Sequence, residues 1–161
     1  AFPGLHFQIN LLRPKSTGTV RLKSSNPDED LQINPNWFSD LSDMDDLVEG
    51  MNYTREVLSK PSLSKIVSDE LLPGKNIKND DDMKESIRNH VQTGHHPAST
   101  CAMGSDNNKL AVLDEKLRVK GIKNLRVVDA SSFPDMISGN INASVIMLAE
   151  KAADMILQNI N

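Results

Sequence analysis

Two short stretches hold the side chains in this sequence best suited to acid–base chemistry: Gly94-His95-His96-Pro97-Ala98-Ser99-Thr100-Cys101-Ala102-Met103-Gly104 and Ser138-Gly139-Asn140-Ile141-Asn142-Ala143-Ser144. His96 stands directly before a proline, which biases its backbone away from helix and toward extended conformation. An imidazole there can be neutral at neutral pH and accept a proton; as plain local structure it is a loop histidine bonded to backbone. His95 and His96 have no third ligand at a recognisable metal-binding spacing, so no metal site is read here. The Asn140 amide can donate to a developing oxyanion, alongside the first N–H groups of a helix that begins just after it. The plainer alternative is a Gly139-Asn140 turn with Asn142 as the helix cap.

Between these stretches, Leu125-Arg126-Val127-Val128-Asp129 is an apolar run that stops at an acid. Adjacent valines leave no polar face, which fits a strand buried on both sides, as in a parallel sheet under helices. An acid at the C-terminal end of such a strand lies where open α/β sheets hold ligands, and holding a ligand hydroxyl suits it better than proton transfer. Cys101, the single cysteine, lies five residues after His96. That offset places the two on opposite faces of a strand, so Cys101 reads as a small packing residue rather than a nucleophile.

The remaining elements hold these stretches in place. Leu5, Phe7, Ile9 and Leu11 alternate with His6, Gln8 and Asn10, which predicts a strand with one apolar and one polar face. Turn chemistry over residues 14–18 and renewed alternation over 19–23 predict an antiparallel partner for it, and residues 31–33 a short third strand. Ser42, followed three residues later by Asp45, predicts a capped helix over residues 44–59, closed by Pro61 and packed through Met44, Leu47, Val48, Met51 and Leu58. Residues 66–72 suggest a short helix within a connection. Asn79-Asp80-Asp81-Asp82 reads as a capped helix start rather than a metal site, and the helix continues through Met83, Ile87 and Val91. A last helix over residues 143–160 would bury Ile146, Ala149, Ala153, Ile156 and Ile160.

At 161 residues and 38% apolar content, the chain is sized for one domain or two small lobes. Its formal charge of -4, with scattered basic residues, excludes a polyanion-binding face and with it nucleic acid as a partner. A lone cysteine excludes an internal disulfide and a cysteine-built metal site. No run reaches the roughly 18 to 20 apolar residues of a membrane span. The start, Ala1-Phe2-Pro3-Gly4, lacks a signal-peptide pattern and a methionine, so the expectation is a soluble, cytoplasmic rather than secreted chain that begins mid-gene or after processing.

The linked pieces His95 to Gly104, Leu117 to Ser131, Ser138 to Ala143 and Ala149-Glu150-Lys151-Ala152-Ala153-Asp154 resemble, in order, the C-terminal part of the glucose–methanol–choline family of flavin oxidoreductases. The pattern is that of its choline dehydrogenase-like and aryl-alcohol oxidase-like members. Upstream, Leu12 to Val20 and Pro35-Asn36 resemble the family's substrate-domain strands, so the likeness covers nearly the whole chain.

The resemblance implies an α/β fold: an α+β substrate part with antiparallel sheet, plus the last strand and helix of a Rossmann-like FAD-binding domain. Residues 1–93 would belong to the substrate-binding domain. Residues 94–161 would hold the active-site motifs and close the FAD-binding domain. It implies FAD as cofactor and a small-molecule alcohol as substrate, with His96 taking the hydroxyl proton, Asn140 holding the same oxygen, and hydride passing to flavin N5. His95, Asp129, Ala130, Asn140, Ile141, Asn142 and Ala143 match cofactor-contacting positions. His6, Gln8 and Asn10 become a candidate substrate-facing wall, with a solvated or interdomain face as the alternative.

No Gly-x-Gly-x-x-Gly turn occurs in the chain, so an N-terminal FAD-binding segment is expected as its partner. Two other readings are a non-catalytic module of the same fold and a flavin-containing cyanohydrin lyase.

Overall fold

The computed structural model describes residues 4–158. The chain divides into two compact units. The first comprises the residues up to Gly18 together with Pro35–Gly94, and the second Thr19–Asn34 together with the residues from His95 onward.

The first unit is built on two helices, α1 (Ser42–Ser59) and α2 (Asp80–His90). Apolar residues at helical spacing bury Met44, Leu47 and Val48 of α1 and Met83 of α2, and Lys84 of α2 pairs with Asp45 of α1 at 2.8 Å. Asn79 caps α2 as its sequence predicts, its side chain accepting the Asp82 N–H at 2.8 Å. At α1 the cap is displaced: Ser42 is already helical, and Asp40 accepts both its N–H and its Oγ–H, at 3.0 and 2.7 Å.

Residues 66–72 do not form a helix. The connection over residues 60–78 is a series of turns gathered by Arg55, whose guanidinium donates to both carboxylate oxygens of Glu70, at 2.7 and 2.9 Å, and to the carbonyls of Ile77 (2.9 Å) and Gly74 (3.3 Å).

The strand expected at residues 5–11 is also absent: the segment joins no ladder among the described residues, and Leu5 and Phe7 are exposed. A period-two pattern calls for a half-buried ribbon, but no second strand runs beside it among the described residues. What anchors the segment instead is helix α1. Ile9 lies so close to Gly50 that a β-carbon there would sit 2.7 Å from its Cγ2.

In the second unit, β1 (Thr19–Arg21) pairs antiparallel with β2 (Gln32–Asn34), Val20 opposite Ile33. This replaces the expected pairing of residues 19–23 with 5–11. The cause is local: Asn26-Pro27-Asp28-Glu29 makes a turn in which Glu29 N–H donates to the Asn26 carbonyl at 3.2 Å, so β2 folds straight back on β1.

Residues 125–129, expected as a strand buried in a parallel sheet, form no strand among the described residues. They contribute one isolated antiparallel bridge, Arg118 to Arg126, and Val127 and Val128 are only half-buried. Helix α3 (Asn142–Gln158) follows a short 3₁₀ turn at Ala130–Ser132. Its buried face is not the expected one. Leu148 and Ala152 are buried and Val145 half-buried, whereas Ile146, Ala149, Ala153 and Ile156 are exposed; Ile160 lies outside the described residues. The helix is apolar on two faces, so a period of 3.6 can be drawn along either.

Candidate active site

The second unit gathers all three chemistry-bearing stretches on one core. Leu113, Leu117, Phe133, Leu148 and Ala152 form its centre; Ala98 and Cys101 from the histidine loop, Val128 and Ala130 from the acidic run, and Ile141 from the asparagine stretch pack against it. Cys101 is thus a packing residue.

The histidine loop is tied to the 3₁₀ turn by three backbone bonds. Ser99, Cys101 and Met103 donate N–H to the carbonyls of Ala130, Ser131 and Ser132 at 3.2, 2.8 and 2.9 Å. His95 and Ser99, on either side of His96-Pro97-Ala98, have φ of 58° and 70°, the left-handed region that non-glycine residues enter only when their surroundings hold them there. His96 is half-buried and its ring makes no hydrogen bond to a described residue, while His95 is exposed.

Asp129 caps the 3₁₀ turn. Its Oδ1 accepts the Ser131 N–H at 2.8 Å and, at closer range, the Ser131 hydroxyl, while its carbonyl accepts from Ser132 N–H and from the fully buried Ser132 hydroxyl, at 3.1 and 2.6 Å. The second carboxylate oxygen has no partner among the described residues.

Asn140 is exposed and its amide is unpaired among the described residues. Asn142, expected as a cap, is the first helical residue; the carbonyl ahead of it, that of Ile141, accepts the first helix bond from Val145 N–H at 2.9 Å. The N–H groups of Ala130, Asn142 and Ala143 find no acceptor among the described residues, which leaves them available to oxygen atoms of a ligand.

His6, Gln8 and Asn10 belong to the first unit. All three are exposed, and Gln8 Nε2 donates to Asn10 Oδ1 at 3.1 Å. Sequence reasoning missed Asp43, a carboxylate 2% exposed on α1. Its two oxygens accept the N–H groups of Lys15 and Ser16 at 2.9 and 2.8 Å. Burial pushes this carboxyl up, but the two amides, the Ser16 hydroxyl and the nearby Lys15 ammonium outweigh it and hold it below the ordinary carboxylate value. No local signal marks such a role, because the partners lie 27 and 28 residues away. No group of three or more His, Cys, Asp or Glu side chains gathers to hold a metal ion among the described residues. None of the described helices is long and apolar enough to cross a membrane.

Residues 14–149, which include the histidine loop, the capped acidic turn and the start of α3, match a family model of oxidoreductases. The family is GMC oxidoreductase, and the chain belongs to it. The chain is 41% identical over 159 residues to an oxygen-dependent choline dehydrogenase of Vibrio vulnificus, covering 98% of this chain and 28% of that protein. It is 41% identical over 158 residues to an alcohol dehydrogenase (acceptor) of Pseudomonas putida, again covering 98% and 28%. Among solved structures, an FAD-dependent oxidoreductase from Chaetomium thermophilum superimposes with a TM-score of 0.86 at 29% identity, over 92% of this chain and 26% of that one. The chain therefore spans about a quarter of the length of the relatives it matches.

Proposed function

We propose that this chain is the C-terminal segment of an FAD-dependent alcohol dehydrogenase or oxidase, completed by an N-terminal segment that carries most of the cofactor site. The observation that carries this reading is the union, on one core, of the His96 loop, the 129–132 turn and the start of α3, in a chain that belongs to the GMC oxidoreductases.

His96 is the base. Its ring, half-buried and unengaged by described residues, takes the hydroxyl proton of the alcohol. Asn140 donates its amide to the same oxygen, so that the charge left as the proton departs is met by a fixed donor. The N–H groups of Ala130, Asn142 and Ala143 are the donors suited to FAD, with His95, Ile141 and Asn140 flanking them, and the free oxygen of Asp129 is an acceptor for a cofactor hydroxyl. When bound, FAD supplies the acceptor for the carbon-bound hydride. The alcohol thereby loses a proton to His96 and a hydride from carbon, leaving a carbonyl product. In the complete protein, residues 125–129 become the last strand of a Rossmann-like domain, paired by strands of the N-terminal segment. His6, Gln8 and Asn10 are offered as substrate-facing side chains.

The test uses the full-length protein. Anaerobic addition of an alcohol should bleach a visible flavin spectrum, and His96→Ala should retain the flavin while slowing bleaching by about 10²- to 10⁴-fold. A flavin that no alcohol bleaches supports a non-catalytic module or a lyase instead, and unchanged bleaching in His96→Ala refutes the assignment of the base.

A further inference from the structure

Asp129 matches a position that holds cofactor, yet its carboxylate is already at work inside the protein. Oδ1 takes both the N–H and the hydroxyl of Ser131, and the Asp129 carbonyl takes both donors of Ser132. These bonds shape the short turn at Ala130–Ser132. The turn's three carbonyls in their turn accept Ser99, Cys101 and Met103, the residues that follow His96-Pro97-Ala98. On either side of that tripeptide the backbone is left-handed at non-glycine residues, at His95 and at Ser99. Such a conformation relaxes unless something external holds it. The Ser99 N–H bond to Ala130 is the contact at the strained residue itself, and the turn that supplies the carbonyl is closed by Asp129.

We infer that Asp129 is a positioning residue for His96: its carboxylate caps the turn whose carbonyls hold the histidine loop, and this role needs an acceptor oxygen rather than a negative charge. The inference rests on the reading of His96 as the base. An asparagine can cap the turn as an aspartate does, since its side-chain oxygen accepts the same N–H; alanine cannot.

Two readouts on full-length holoprotein test this. In amide hydrogen exchange, Asp129→Ala should speed exchange of the Ser99, Cys101 and Met103 amides about tenfold, while Asp129→Asn leaves them near wild type. In stopped-flow reduction by saturating alcohol, read per bound flavin because the other Asp129 oxygen is placed against the cofactor and either substitution weakens flavin binding, Asp129→Ala should lose about 10- to 100-fold in rate and Asp129→Asn markedly less. Ser131→Ala, which removes only the hydroxyl half of the cap, should give a smaller loss of about twofold to fivefold and keeps the test open should Asp129→Ala fold poorly.

Unchanged exchange in Asp129→Ala overturns the inference, as does an Asp129→Asn variant whose exchange and rate per bound flavin match those of alanine. If exchange responds as stated while His96→Ala still reduces flavin, the link between turn and loop stands and the alcohol-oxidising reading is what fails.

Discussion

Asp43 shows how much one side chain can organise. A carboxylate that is almost fully buried, with both oxygens on backbone N–H groups, joins helix α1 to the loop at Lys15 and Ser16. Asp43→Asn keeps one acceptor but turns an NH₂ toward the other amide, so it should lower stability by about 2–3 kcal/mol, read as a shift in urea midpoint. Because the folded carboxyl titrates below its ordinary value, its contribution is fully present above the unfolded carboxylate value of about 3.9 and is lost as pH falls through the lower folded value. The stability gap between wild type and Asp43→Asn should therefore be constant from pH 7 to about 5 and shrink below about pH 4. A gap that persists unchanged at pH 3 would show that the charge contributes nothing. At this scale residue type and neighbours, proline after one and glycine before the other, marked His96 and Asn140 only as candidates beside plainer loop and turn readings, and the family resemblance is what raised them to their proposed roles. Asp43 was not, because its partners are brought to it by the fold of the loop.

At the scale of elements, local signals served the helices well and the strands poorly. The spacing of Met44, Leu47 and Val48 and the Asn79 cap define α1 and α2 within the chain's own neighbourhood. Residues 5–11 alternate just as well, yet a strand exists only where another backbone accepts its bonds, and the turn at Asn26-Pro27 gives β1 a nearer partner. The connection after α1 depends in the same way on one residue, since Arg55 serves Glu70 and two carbonyls at once. Arg55→Ala should cost about 1–3 kcal/mol and raise hydrogen exchange across residues 61–78. Arg55→Lys should recover little of this, because a single ammonium cannot reproduce the planar fork that meets the carboxylate and both carbonyls. Full protection in Arg55→Lys would assign the effect to charge alone.

For the whole molecule, the proposed N-terminal partner segment would account for both the exposed apolar face of α3 and the missing glycine-rich turn. Ile146 and Met147 are 54% and 61% exposed on a helix whose opposite face is already packed, and no residue of the chain supplies a Gly-x-Gly-x-x-Gly phosphate cradle. The isolated 161-residue chain should therefore show no tight FAD binding by calorimetry, while the full-length protein retains FAD through gel filtration. Stoichiometric, tight binding by the isolated chain would contradict this division of the cofactor site.

Residue identity and short-range spacing were enough to mark the histidine loop, the asparagine stretch and three helices, because caps, proline and a period of 3.6 act within a few residues of backbone; the turn that Asp129 closes was instead expected as the end of a buried strand. Pairing and burial were decided in three dimensions. Which segment β1 accepts, which of α3's two apolar faces is buried, and the ladder from Ser99, Cys101 and Met103 to the 130–132 carbonyls all depend on surfaces far apart in the chain. A strand or a helix face announces that it needs a partner; only packing selects the one that excludes water and satisfies its hydrogen bonds.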